Sequence, residues 1–189
     1  MAFSTSSASS TPARVVYLSA QGNHVNTTGE IAMKLGDPGN EVLIIDASHS
    51  ATLTNYMFQF NLPKDAAKHS FNQLLADLIE SDGCVEKLTL SDYVLPVPNY
   101  PTTYIIPSLG DFSLYLSGLY GIMNKPQRYP RAVPCQKQLL TSLDTLLNKF
   151  ARRFHVYIDT SPTLDIVTQM VIVAARYVMI TLVNTNCLL

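Results

Sequence analysis

Eight residues near the start of the chain have the length and framing of a phosphate-binding loop. A short apolar run precedes them at residues 15–20, and a helix-like pattern covers residues 27–35. Such a loop holds phosphate through a lysine and through glycines that let the backbone come close. Its residues are Gln21, Gly22, Asn23, His24, Val25, Asn26, Thr27 and Thr28. Because they include no lysine and a single glycine, we expect the loop to hold phosphate weakly.

Two acidic residues each end a short apolar run. Asp46 follows VLII, and Asp159 follows HVYI. If both runs are strands of a parallel sheet, their carboxyl ends meet at one edge, which is where such sheets bind ligands. Asp46 and Asp159 are therefore expected to lie together and could face a ligand at that edge. An Asp that ends a buried strand can equally cap a loop or a helix.

His24 and His49 fall near the same expected edge. Together with Asp46 they suggest a second kind of site, for another metal or for acid–base chemistry. The alternative is that two isolated loop histidines are simply solvated, and we favour it. Ser48 and Ser161 do not indicate a hydrolase triad with His49, because no nucleophile-elbow pattern surrounds either serine.

Short β-rich runs alternate with longer helical patterns along the chain. The strand runs lack a polar residue at every second position, which indicates strands buried on both faces. This pattern predicts an α/β fold with a mostly parallel sheet and helices on both faces. Strands are predicted at residues 15–20, 41–48, 86–90, 102–108, 155–162 and 176–183, and helices at 27–35, 70–80, 111–123 and 136–154.

Composition bounds the class of protein. The 189 residues fit one domain, and 47% of them are hydrophobic while only 14% are charged. A mean hydropathy of +0.14 is compatible with an apolar surface that meets a partner. The formal net charge of −1 gives no general attraction to nucleic acid or to anionic lipid.

The cysteines and the chain start bear on location. Cys84, Cys135 and Cys187 form no CxxC pair, which favours reduced thiols and a cytoplasmic protein. No segment of the sequence is predicted to span a membrane. Residues 1–13 are rich in Ser and Thr and lack an apolar core, so we expect a disordered tail there.

From residue 14 to 183 the chain resembles the ParA/MinD family of P-loop ATPases, which partition plasmids and chromosomes or position cell machinery. QGNHVNTT stands where the family has its deviant Walker A pattern, KGGxGKT[ST]. VLIIDASHSATLTNYMF resembles the second strand with its loop, and FHVYIDTSPTL resembles the Walker B region. The resemblance implies a single P-loop NTPase-like domain at residues 14–189 that lacks the family's usual C-terminal strands and helices.

The loop departs from the family pattern where phosphate would bind. Gln21 stands at the signature lysine, and Asn26 stands at the lysine that reaches the β- and γ-phosphates. Asn23 and Val25 occupy two glycine positions. Thr27 remains where a threonine hydroxyl would meet Mg²⁺.

The acidic positions are kept in part. Asp46 and Asp159 match two family acids, the second being the Walker B acid. Ser48 takes the place of the Asp that the family links to hydrolysis. If nucleotide binds, the resemblance implies ATP and Mg²⁺ as cofactors, with Thr27, Asp46 and Asp159 as the metal ligands; otherwise we expect none.

These departures predict a pseudo-ATPase that acts as a nucleotide-independent scaffold or regulator in a partition or positioning system. The resemblance implies a homodimer or another protein partner. The alternative is a divergent but active ParA-type ATPase that partitions plasmid, chromosome or protein cargo. Binding to nucleic acid is not supported by the charge, and a basic cluster within residues 125–153 is expected to be a solvated face.

Overall fold

The structure is a computed structural model, and it describes residues 14–19, 29, 30, 34, 36, 40–81, 85–112 and 143–181. The tail at residues 1–13 and the loop at residues 21–28 lie outside the described residues. So do most of the helix predicted at 111–123 and the first part of the one predicted at 136–154.

In the described part of the chain, six strands form one sheet in the order β3-β4-β2-β5-β1-β6. Neighbouring strands run parallel except for β3, which pairs antiparallel with β4. The predicted mostly parallel sheet is therefore confirmed. The strands are β1 (Arg14–Ser19), β2 (Val42–Ala47), β3 (Leu95–Val97), β4 (Tyr100–Ile106), β5 (His155–Thr160) and β6 (Tyr177–Thr181).

Four helices are described over more than one turn, and residues 29, 30 and 34 are also helical. Helix α2 forms because Phe71, Leu74, Leu75 and Leu78 recur at helical spacing and are all buried. The helices are α1 (Thr52–Phe58), α2 (Phe71–Glu80), α3 (143–151) and α4 (Ile166–Ala174).

The sheet is covered on both faces, as predicted. All six residues of β2 are buried, and successive side chains point to opposite faces. Leu43 and Ile45 belong to a large core that also contains residues of α2, α3 and α4. Val42 and Ile44 belong to a smaller core with α1, which contributes Leu53 and Met57.

The strand predicted at residues 86–90 is wrong. Val85–Lys87 and Leu90–Asp92 form short 3₁₀ helices instead. The antiparallel strand is β3, which contains Pro96 and was not predicted as a strand. Pro96 pairs with Tyr104 at the edge of the sheet, where the missing N–H of proline costs no ladder hydrogen bond. Among the described residues, no helix is long and apolar enough to cross a membrane.

Candidate functional site

The carboxyl ends of β2 and β5 bring the two candidate acids side by side. Asp46 and Asp159 are partners in the register of these parallel strands, and both are fully buried. β1 pairs with the other side of β5, with Leu18 beside Thr160, so it ends at the same edge. The two candidate acids therefore lie at the carboxyl edge of the sheet, where the sequence predicted them.

Asp46 accepts four hydrogen bonds from its own chain. Its Oδ1 receives the backbone N–H of Ser48 at 3.1 Å and the Ser48 hydroxyl at 2.6 Å. Its Oδ2 receives the backbone N–H of Thr54 at 2.9 Å and the Thr54 hydroxyl at 2.7 Å. Burial raises the pKa of the Asp46 carboxyl, and the hydrogen bonds from Ser48 and Thr54 oppose that shift.

The contact with Thr54 starts helix α1. The residue before the helix is Ala51, which has no side-chain oxygen to cap it. Asp46 supplies the missing acceptor from eight positions earlier. The capping alternative therefore holds for Asp46, and its carboxylate fixes the direction in which the chain leaves β2.

The network continues into the loop after β4 through Ser108. The backbone N–H of Ser108 donates to the Thr54 hydroxyl oxygen at 2.8 Å, and the Ser108 hydroxyl donates to the Ser48 carbonyl at 2.7 Å. The N–H of Gly110 donates to the Ser108 hydroxyl oxygen at 3.0 Å. Gly110 has a φ of 77°, and a Cβ there would lie 3.1 Å from the His49 carbonyl oxygen, so glycine fits this close approach.

His49 joins the β2 loop to the loop that follows β5. Its Nε2 lies 2.8 Å from Oδ2 of Asp165, and its backbone N–H donates to the Ser161 hydroxyl at 2.9 Å. Its ring centroid lies 4.8 Å from that of Phe112. The expectation that both loop histidines are solvated is wrong for His49, because long-range partners hold its ring and backbone.

Asp165 is a residue of this edge that the sequence reading missed. Its Oδ1 accepts the N–H of Thr168 at 2.8 Å and so caps the first turn of α4. The signal was available, because an Asp directly before the apolar run IVTQMVIVA is a typical helix start. The contact with His49 could not be read locally, since 116 positions separate the two residues.

The chain matches a family model described as an AAA domain over residues 21–187. This match covers more than half of the chain and decides the assignment. Solved structures with the same fold include a ParA family ATPase. The chain belongs to the ParA/MinD-like family.

Three solved structures illustrate the likeness of this ParA/MinD-like chain. A plasmid partition protein from Borrelia burgdorferi is 22% identical, with a TM-score of 0.56, over 90% of this chain and 66% of its own. A ParA family ATPase from Chlorobium tepidum is 20% identical, with a TM-score of 0.55, over 90% and 60%. An ATP complex of Cyanothece McdA is 20% identical, with a TM-score of 0.59, over 90% and 56%.

The chain thus spans a little over half to two thirds of the length of these structures. A comparison with curated protein sequences gives no match. At these identities the likeness shows the fold, which is the ParA-like P-loop NTPase fold. The roles of individual residues still depend on their own geometry.

The ParA/MinD-like site is described in part. Asp46, Ser48 and Asp159 lie together at the carboxyl edge. Residues 21–28, with Thr27 and His24, are outside the described residues, so the loop and the Mg²⁺ ligand set stay predictions. Within the described part of the chain, no group of three His, Cys, Asp or Glu side chains is arranged to hold a metal ion.

Proposed function

We propose that the chain is a ParA-like partition or positioning protein that works as a pseudo-ATPase, through contacts with protein and not through nucleotide turnover. One observation carries the proposal: the Ser48 hydroxyl, at the position of the family's hydrolytic Asp, donates to Asp46. The Ser48 hydroxyl is thereby part of the internal hydrogen-bond network. It lacks the negative charge of a carboxylate, which would orient an attacking water.

The state of Asp46 supports the same conclusion. An ionised carboxylate has about four lone-pair sites, and Asp46 receives four donors from Ser48 and Thr54. A metal ion or its bound water would have to displace one of these buried bonds. The displaced N–H or hydroxyl would then lose its acceptor at a cost of about 1–3 kcal/mol.

The sequence of the loop at residues 21–28 adds an electrostatic reason. Gln21 and Asn26 replace two family lysines, which removes two positive charges from the place where a polyphosphate would sit. A hydrogen bond to a charged group contributes about 1.5–3 kcal/mol. Losing two of them weakens binding by a hundredfold or more, since every 1.4 kcal/mol is about tenfold in affinity.

The active ATPase remains the second candidate because the acidic pair is retained. Asp46 and Asp159 lie side by side and buried, where the family places two of its acids. Related folds hold nucleotide, since a putative Borrelia burgdorferi plasmid partition protein was solved with AMPPNP and Cyanothece McdA with ATP. Under this alternative, ATP and Mg²⁺ are the cofactors of the present chain.

A partner and a compartment belong to the proposal. The implied assembly is a homodimer or a complex with another protein. The three cysteines form no CxxC pair in the sequence, which favours the cytoplasm. A role for nucleic acid is less well supported, because Arg153 of the basic cluster is bound to Glu41 through contacts of 2.7 and 3.1 Å.

Calorimetry and sedimentation with AMPPNP and Mg²⁺ test the proposal together. We expect a dissociation constant weaker than about 10 μM, which corresponds to roughly −7 kcal/mol, and an oligomeric state that nucleotide does not change. Tighter binding, or a nucleotide-driven change in sedimentation, supports the active ATPase. In that case Asp159→Ala should abolish the Mg²⁺-dependent part of the binding.

A repaired variant provides the matched control. Gln21→Lys combined with Asn26→Lys restores the two lost charges and leaves the described edge untouched. If this variant binds AMPPNP and the natural chain does not, the missing lysines account for the loss. If neither binds, the closed network around Asp46 is the stronger barrier.

A further inference from the structure

A second candidate site lies at the opposite end of the strands from Asp46. A cavity of about 420 Å³ opens at the C-terminal end of α1 and beside the turn between β3 and β4. This volume falls within the range of about 300–1,000 Å³ that is typical of small-molecule sites. α1 begins beside the carboxyl end of β2 and β4 begins at Tyr100, so the cavity belongs to the amino end of the sheet.

Three aromatic side chains at this cavity are exposed. Tyr56 and Tyr100 are each 40% exposed, and Phe60 is 81% exposed. Among the described residues, no ring–ring contact joins any two of them. The Tyr56 ring lies close to Gly29, where an added Cβ would come within 3.0 Å of it. The exposed parts of the three rings leave apolar surface for a ligand to cover.

Besides the hydroxyls of Tyr56 and Tyr100, the polar side chains of the cavity are carboxamides. Asn55, Gln59, Asn61 and Asn99 line it, and no charged side chain is among the described residues of its lining. Each carboxamide offers an acceptor oxygen and a donor NH₂ group. The cavity thus suits a ligand that both donates and accepts hydrogen bonds and that carries no net charge.

The backbone at this cavity is held in an unfavourable conformation. Gln59, Phe60 and Asn99 have φ values of 50°, 62° and 65°, and Ala51 is the one further non-glycine residue with positive φ in the described part of the chain. Glycine adopts this region freely, whereas other residues adopt it at a cost in free energy. Strain of this kind clusters at binding sites, and here it places an aromatic ring and two carboxamides on the cavity.

We propose that this cavity binds an uncharged planar heterocycle of the nucleobase or nucleoside class. A nucleobase has two flat faces that stack on aromatic rings, and it carries donors and acceptors around its edge. Asn and Gln side chains pair with such edges through two hydrogen bonds. No cation is among the described residues of the lining, which argues against a ligand held through phosphate. Among the described residues, the site shares none with the hydrogen-bond network around Asp46, so nucleoside binding is measured separately from ATP binding at the carboxyl edge.

Calorimetric titration of the full chain with adenosine, guanosine, cytidine and uridine tests the assignment. We expect saturable binding of at least one nucleoside, and weaker binding of the matching monophosphate. No binding of any nucleoside at about 10 mM, which corresponds to roughly −2.7 kcal/mol, overturns the proposal. So does binding of a neutral sugar, maltose, in the absence of nucleoside binding.

Two variants locate the binding. Phe60→Ala removes one ring, and we expect at least a fivefold loss of affinity, because stacking on one aromatic ring changes affinity by about fivefold to more than a hundredfold. Asn99→Gly removes one carboxamide while keeping the left-handed turn, so it should weaken binding without lowering the melting temperature. Tyr177→Ala, at an exposed ring on the far edge strand, is the matched control and should bind normally. Nucleoside binding that is unchanged in both Phe60→Ala and Asn99→Gly overturns the assignment.

Discussion

Different interactions stabilise the two ends of the parallel strands. At the carboxyl end, Asp46, Thr54 and Ser108 are buried and joined by hydrogen bonds from neutral donors. At the amino end, Glu41 and Arg153 form an ion pair that is open to solvent, with side chains 33% and 62% exposed. Buried groups must find partners within the protein, whereas exposed charges keep their contact with water.

Protonation distinguishes the two ends as well. Burial raises the pKa of Asp46, whereas the hydrogen bond from Arg153 lowers the pKa of Glu41. The folded state therefore binds a proton at Asp46 more readily than the unfolded chain does. The stability that this preferential protonation contributes falls as pH rises above the ordinary range of Asp. Glu41 has the opposite sign, because its contribution is lost as pH falls through its lowered pKa.

This contrast suggests a division of roles. The carboxyl end holds two buried acids, Asp46 and Asp159, and uses Asp46 to fix its own loops. The amino end carries the open cavity and the strained turns, where surface is left for a ligand. Variants that break one end and leave the other intact test the division.

The largest effect is expected from Asp46→Ala. Four buried donors lose their acceptor, so the free energy of unfolding should fall by about 3–5 kcal/mol, measured by urea denaturation. Glu80→Gln, an exposed carboxylate at the end of α2, is the control and should change stability by less than about 0.5 kcal/mol. A loss below about 1 kcal/mol for Asp46→Ala would mean that the network does not hold this end together.

Thr54→Val should have the next largest effect. The substitution keeps the shape but removes the hydroxyl that donates to Asp46 and accepts from the N–H of Ser108. That buried N–H then lacks its acceptor, and we expect a loss of about 1–3 kcal/mol in the free energy of unfolding. Thr54→Ser keeps the hydroxyl and should lose less. Equal losses in the two variants would mean that the methyl group, which only Thr54→Ser removes, contributes as much as the hydroxyl.

The parts that the sequence predicted correctly are those that depend on local pattern. The unbroken apolar run of β2 indicated a strand buried on both faces, and the alternation of strands and helices indicated the parallel sheet. The run EKLTL at residues 86–90 was wrongly predicted to be a strand, because five residues are too few for periodicity to distinguish a strand from short 3₁₀ turns.

The site was predictable in position but not in detail. A strand that ends in Asp marked the carboxyl edge, and Asp46 is there. Its partners were not predictable, because the network reaches Ser108, which is 54 positions from Thr54 and is brought near only by the pairing of β2 with β4. The cavity had no sequence signal at all, since it depends on left-handed residues that are not glycines.

A smaller effect is expected where Asp165 joins two loops of the carboxyl edge. Asp165→Ala removes both the cap of α4 and the contact with His49, so unfolding free energy should fall by about 1–2 kcal/mol. Asp165→Asn keeps a capping oxygen and should lose less. Thermal or urea unfolding of both variants separates the cap from the loop contact. If Asp165→Asn is as unstable as Asp165→Ala, the contact between the Asp165 carboxylate and the His49 ring outweighs the cap.

The smallest effect is expected at the amino end, from Glu41→Gln. The substitution removes a charge that binds the Arg153 guanidinium through two contacts and also accepts from the Tyr104 hydroxyl at 3.2 Å. Because both charges are partly exposed, we expect a loss of at most about 1 kcal/mol at pH 7 and low salt, and less at high ionic strength.

Because the pKa of Glu41 is lowered, the stability difference between the natural chain and Glu41→Gln depends on pH. The difference is present above the ordinary range of Glu and disappears as the carboxylate is protonated below that range. Urea unfolding of the natural chain and of Glu41→Gln at pH 7 and near pH 3 measures it. A difference that persists at the lower pH, or that salt does not reduce, would show that the amino end depends on buried packing as the carboxyl end does.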